Sequence, residues 1–159
     1  NLIFQYHRLY AQSYTIIDTR QIACKAICYH YLMDKQQIVD YWENGAKQAS
    51  VMAYESYENK HSDWAFFFWH LAIEKMIKGI LTKQDITPPP IHNLIELLKK
   101  SDIILDSVRL EQLGEIGTYN INARYDNIKQ EFYHKVIETT YHKKWFPICE
   151  EIYQWLKNH

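Results

Sequence analysis

From Trp64 to Leu81 the chain runs Trp-Ala-Phe-Phe-Phe-Trp-His-Leu-Ala-Ile-Glu-Lys-Met-Ile-Lys-Gly-Ile-Leu, apolar around most of the circumference of any helix it forms. A helix greasy on nearly every side is stable only when other elements enclose it. Ser62 and Asp63 supply N-cap candidates, so the sequence predicts a central helix from Trp64 to about Lys83, surrounded by the rest of the domain. Glu74, Lys75 and Lys78 interrupt the stretch before it reaches the roughly eighteen uncharged apolar residues of a membrane span.

On either side the pattern stays helical. Ile38, Trp42, Ala46, Ala49 and Ala53 recur at spacings of three and four, with Glu43, Lys47 and Glu55 off that stripe, and the small residues permit a close neighbour. Pro88, Pro89 and Pro90 stop any helix, after which His92 to Lys100 places Leu94, Leu97 and Leu98 on one side. Leu105 to Tyr119 repeats Leu110, Leu113 and Ile116, and close packing or a bend is expected to explain Gly114 and Gly117. A last helix is expected over Phe132 to Lys157, burying Val136, Trp145, Cys149, Ile152 and Leu156, kinked or divided by Pro147. With 4 Gly, 4 Pro and 15% aromatic residues in 159 positions, the expected fold is all-α, an up-and-down bundle of four to five helices in one domain.

Residues 1–32 differ in composition from the remainder of the chain. They carry Asp18 against Arg8, Arg20 and Lys25, and five of the 13 tyrosines. Two readings stay open: a native extra helix or strand, or an extension upstream of a start at Met33, with the bundle occupying 33–159. The segment resembles no signal peptide, and its β-branched and aromatic content is unlike a transit peptide. The odd count of cysteines, Cys24, Cys28 and Cys149, favours a reducing cytoplasm over a disulfide framework.

A net charge of −1 provides no global field for holding a phosphate backbone, so any nucleic-acid contact must be local. His70, Glu74 and Lys78 fall at successive i,i+4 positions of the central helix. One reading has Glu74 pairing with Lys78 and His70 where the helix meets solvent; the other has the row facing a cleft or dimer seam. His92, after the prolines, is either a capping residue or part of a site. In the turn Asn122-Ala123-Arg124-Tyr125-Asp126, Arg124 either binds a phosphate bidentately or pairs with Asp126. No Gly-rich phosphate loop, CxxC, HExxH or GxSxG occurs, and no third ligand joins His70 and Glu74, so neither a cofactor nor a metal is expected.

The run from Trp64 to Leu81 resembles the second helix of HEPN domains, with their hydrophobic/His-Ala-x-Glu-Lys-x-x-Lys pattern. Pro89-Pro90-Ile91-His92-Asn93-Leu94 is similar to the family's Pro-x-x-His-x-Leu, Ala123-Arg124-Tyr125-Asp126 to its Arg-Tyr turn, and Trp155-Leu156-Lys157 to its terminal helix. The resemblance spans Met33 to His159. It implies a helical bundle, commonly a homodimer, often encoded beside a minimal nucleotidyltransferase as half of a toxin–antitoxin or nucleotide-handling pair. Many members are metal-independent ribonucleases using Arg, four to six residues, then His. Here the positions for that His hold Lys129, Gln130 and Glu131, and His134 comes too late.

The expectation is therefore a HEPN protein binding a nucleotide, RNA or a nucleotidyltransferase through His70, Glu74, Lys75, Lys78, His92, Arg124 and Tyr125, without the usual ribonuclease chemistry. Two alternatives are an endoribonuclease using His134 or His92 with Arg124, and an interaction module anchored by Trp42, Trp64 or Trp145.

Overall fold

The computed structural model describes residues 34–123 and 126–159, with the side chains of 126–129 outside that description. The expectations for residues 1–32 and for Arg124 and Tyr125 lie outside the described residues. Among the described residues there are six helices and no strand: α1 (Lys35–Glu58), α2 (Ser62–Lys83), α3 (Leu94–Leu98), α4 (Ser107–Asn122), α5 (Asp126–Ile137) and α6 (Thr139–Lys157). None of the helices described is long and apolar enough to cross a membrane.

α2 is the central helix, packed against all five others. Its Phe66, Trp69, Ile73, Ile77, Ile80 and Leu81 are at most 1% exposed. The closest neighbour is α1, whose buried stripe of Ala46, Ala49 and Ala53 keeps bulk out of the seam. Gly79 completes the approach, because a Cβ there would lie 3.4 Å from Cβ of Trp42. α1 and α2 end alike. His61 N donates to Ser56 O and Lys60 N to Tyr57 O; Ile86 N donates to Leu81 O and Asp85 N to Thr82 O. These paired bonds are Schellman motifs, and the left-handed residue each requires is Lys60 (φ 63°) in one and Asp85 (φ 59°) in the other.

Several expectations are corrected. The N-cap of α2 is His61, which makes no side-chain cap bond, and Ser62 and Asp63 sit buried in the first turn instead. The third helix is shorter than His92–Lys100: Asn93 caps it, accepting from Ile95 N and Glu96 N. α4 begins two residues late, where Asp106 accepts from Arg109 N at 2.8 Å. Its Leu110 is 36% exposed, whereas Leu113 and Ile116 are buried. Nothing lies within 4 Å of a Cβ built on Gly114 or Gly117, so close packing explains neither.

The C-terminal pattern divides at Glu138, whose backbone is extended (φ −63°, ψ 128°), and not at Pro147, which sits inside α6. The carbonyl that Pro147 leaves without an intrahelical donor belongs to Lys143, an exposed residue that water can serve. On α6, Cys149, Ile152 and Leu156 are buried as expected, as is Val136 on α5, but Phe146 takes the place expected for Trp145, which is only half-buried. Phe146 stacks on Tyr57 of α1 with centroids 4.1 Å apart and meets Trp69 edge-on at 5.7 Å. That aromatic knot ties the last helix to the first two.

Candidate functional site: a buried carboxylate shared by a lysine and two histidines

The i,i+4 row on α2 points into the bundle and not at solvent. His70 is 0%, Glu74 4% and Lys78 7% exposed. The pairing anticipated for this row is present: Lys78 Nζ donates to Glu74 Oε1 at 2.8 Å, and His70 Nε2 lies 3.3 Å from Glu74 Oε2. Its location at the surface is overturned, because all three side chains lie on the enclosed part of α2. Lys78 also sits 5.4 Å from the centroid of the Trp42 ring, where an ammonium gains from the ring quadrupole.

A fourth residue arrives from the loop. The prolines turn the chain back across α2, with Ile91 N bonded to Pro89 O at 2.9 Å, and Asn93 then starts α3. This delivers His92 Nδ1 to 3.0 Å from Glu74 Oε2 and 3.2 Å from Oε1. The side chain of His92 stays 62% exposed. It is one residue before the cap, so it is not the cap itself.

Protonation is set by the partners. Burial acts to raise the Glu74 carboxyl, but hydrogen bonds from His70 and Lys78, the charge of Lys78 and the bond from His92 outweigh it and hold the group down from 4.5 to about 2. Glu74 is an anion at neutral pH. Its oxygens are acceptors only, so His92 Nδ1 carries a proton and its Nε2 is left for other partners. His70 faces acceptors at both edges, Glu74 Oε2 and, from Nδ1 at 3.1 Å, the carbonyl oxygen of Ile116. The ring bridges the Glu74 carboxylate on its own helix and the backbone of α4. The one carboxylate is thus shared by Lys78 and two histidine rings, with His92 as the outlet of the cluster.

The other anticipated residues are elsewhere. Lys75 is half-buried against α1: a Cβ on Gly45 would stand 3.0 Å from its Nζ. His134 is exposed on α5 beside the ring of Tyr133 and contacts no carboxylate among the described residues. Trp42 and Trp145 are half-buried and Trp64 is 39% exposed. Among the described residues no group of three His, Cys, Asp or Glu is arranged to hold a metal ion.

One polar chain was not anticipated. Glu115 on α4 accepts from Tyr141 and from Lys135 Nζ (2.6 Å), and the Tyr141 hydroxyl lies 2.9 Å from that of buried Tyr119. Burial comes first in raising both phenols far above their usual range. The chain clasps α4, α5 and α6 together. Its partners stand 20 to 26 residues apart, beyond any helical periodicity.

No curated protein and no solved structure matched the chain in comparison. The family model of the HEPN domain does match, over residues 39–159, which takes in the enclosed α2, the His92 loop and all the helices after it. This chain therefore belongs to the HEPN domain family.

Proposed function

We propose that this HEPN domain binds a phosphate-bearing ligand, a nucleotide or RNA, at His92. The observation that carries the reading is the anchoring of that residue: the buried carboxylate of Glu74, itself held by His70 and Lys78, grips the exposed His92 ring by Nδ1. A ring fixed in this way is preorganised to meet a ligand. His92 Nε2 is the group placed to meet one. In this reading Arg124 contributes a guanidinium fork to the phosphate and Tyr125 a ring to the base, on the strength of the sequence pattern. The absence of His at 129–131 argues that binding proceeds without the usual ribonuclease pair. Dimerisation, and pairing with a minimal nucleotidyltransferase in a toxin–antitoxin or nucleotide-handling pair in the cytoplasm, are parts of the same proposal, supported by the family.

Calorimetry with ATP, GTP and a short RNA tests it, on the wild type and on a His92→Ala/Arg124→Ala variant. Binding by the wild type that the variant loses is the expected result. Wild-type protein that takes up none of the three removes the nucleotide reading.

One observation favours a second reading. A carboxylate holding a histidine by Nδ1 and freeing Nε2 is the arrangement a general base needs. His92, rather than His134, is then the displaced base of a metal-independent endoribonuclease with Arg124. That reading requires RNA cleavage that persists in EDTA and vanishes in His92→Ala. RNA left intact at high protein concentration eliminates it.

A further inference from the structure

The loop between α3 and α4 walls an open cleft of about 820 Å³ against the end of α6. Gln84, just past α2, pins the loop by donating its amide to the Asp102 carboxylate and accepting from Asp102 N at 3.3 Å. Ile104 lies two residues on and is 92% exposed, more than any other large hydrophobic among the described residues. In the same cleft the guanidinium of Arg109 lies 4.3 Å from the centroid of the Trp155 ring.

Two features of Arg109 are physically unfavourable as they stand. It occupies the first turn of α4, three residues after the Asp106 cap, where the helix dipole disfavours positive charge. It also makes no ion pair with a described residue. The guanidinium lies over the indole ring, and its planar fork is the group that receives a carboxylate through two parallel N–H bonds. A platform of this kind beside a bare aliphatic side chain has the character of an interface hot spot.

We propose that this cleft docks a linear peptide segment of a partner protein, in which a side-chain carboxylate adjoins a bulky apolar residue. The carboxylate takes the Arg109 fork and the apolar side chain covers Ile104. Charge favours a peptide over RNA: Asp102 and Asp106 line the same cleft and repel a backbone bearing a phosphate at every nucleotide more strongly than a single carboxylate held by Arg109. The site is separate from His92 and does not depend on the reading of that residue.

The test is nuclear magnetic resonance on the ¹⁵N-labelled full chain, following the Trp155 indole N–H, assigned with Trp155→Phe. The probes are a panel of blocked tetrapeptides with Glu beside Leu, Ile, Phe or Trp, the same panel with Gln for Glu, and a uridine hexanucleotide. At least one Glu peptide is expected to give a saturable shift, with its Gln counterpart at least about tenfold weaker. Arg109→Gln should weaken the Glu peptide similarly. Ile104→Ser, at a position too exposed to affect folding, should weaken it several-fold, and His92→Ala should leave it unchanged. Absence of saturation with every Glu peptide overturns the proposal, as does equal binding of the Gln peptide. A shift driven by the hexanucleotide alone would assign the cleft to nucleic acid instead, and one driven by protein concentration alone would assign it to contact between copies of this chain.

Discussion

Nδ1 of His92 stands 3.0 Å from Oε2 of Glu74, joining an exposed ring to a carboxylate that is only 4% exposed and 18 residues away. Through that carboxylate the ring is coupled to His70 and Lys78, which solvent hardly touches.

Removing the shared anion should be costly. Glu74→Gln leaves Lys78 buried without a counter-charge and His70 without its carboxylate partner, and the expected loss is about 3–5 kcal/mol in urea denaturation. A loss below about 1 kcal/mol would mean that water reaches Lys78 and Glu74 in the native protein. His92→Ala is the contrast: its ring is 62% exposed, so it should cost under about 1 kcal/mol while removing the proposed phosphate contact.

Acid should act through the same group. The Glu74 carboxyl is depressed from 4.5 to about 2, so its contribution is fully present above pH 4.5 and fades as pH falls toward 2. The stability gap between wild type and Glu74→Gln should accordingly be constant from about pH 6 to 5 and shrink below that. A gap that stays flat to pH 2 would contradict the depressed value.

Backbone conformation supplies a pair of stabilising changes. Lys60→Gly relieves a left-handed residue in the Schellman motif ending α1, and about 1 kcal/mol should be gained. Gly114→Ala fills open space within α4 and should add about 0.5–1 kcal/mol. Melting temperatures read both. A decrease for Gly114→Ala would show that a partner occupies that face.

Burial also silences a thiol. Cys149 is 0% exposed, and burial drives its thiol well above the usual range. In a Cys24→Ser/Cys28→Ser variant, a thiol reagent at neutral pH should label Cys149 only as fast as the bundle opens. Labelling at the rate of a free thiol would show that α6 is not docked.

Much of the bundle was legible from residue order, because an enclosed helix writes its period into consecutive positions. Ala46, Ala49 and Ala53, and the long apolar run of α2, needed no knowledge of their partners. The same locality made His70, Glu74 and Lys78 recognisable as one face. Where a residue type has several causes, residue order did not choose between them: Gly114 and Gly117 fill no tight seam, and Pro147 sits within a helix while the division falls at Glu138. The division at Glu138 carries no turn signature, since neither Gly nor Pro marks it.

What residue order left open was the surroundings of that polar face. Whether Glu74 meets water or protein depends on how five other helices close over α2, and whether His92 reaches it depends on a proline turn folding back across 18 residues. Arg109 finding Trp155, and Tyr141 finding Glu115, are the same kind of event. Helical periodicity reports which residues share a side of one cylinder; desolvation and charge pairing arise between cylinders, so they exist only once the chain has packed.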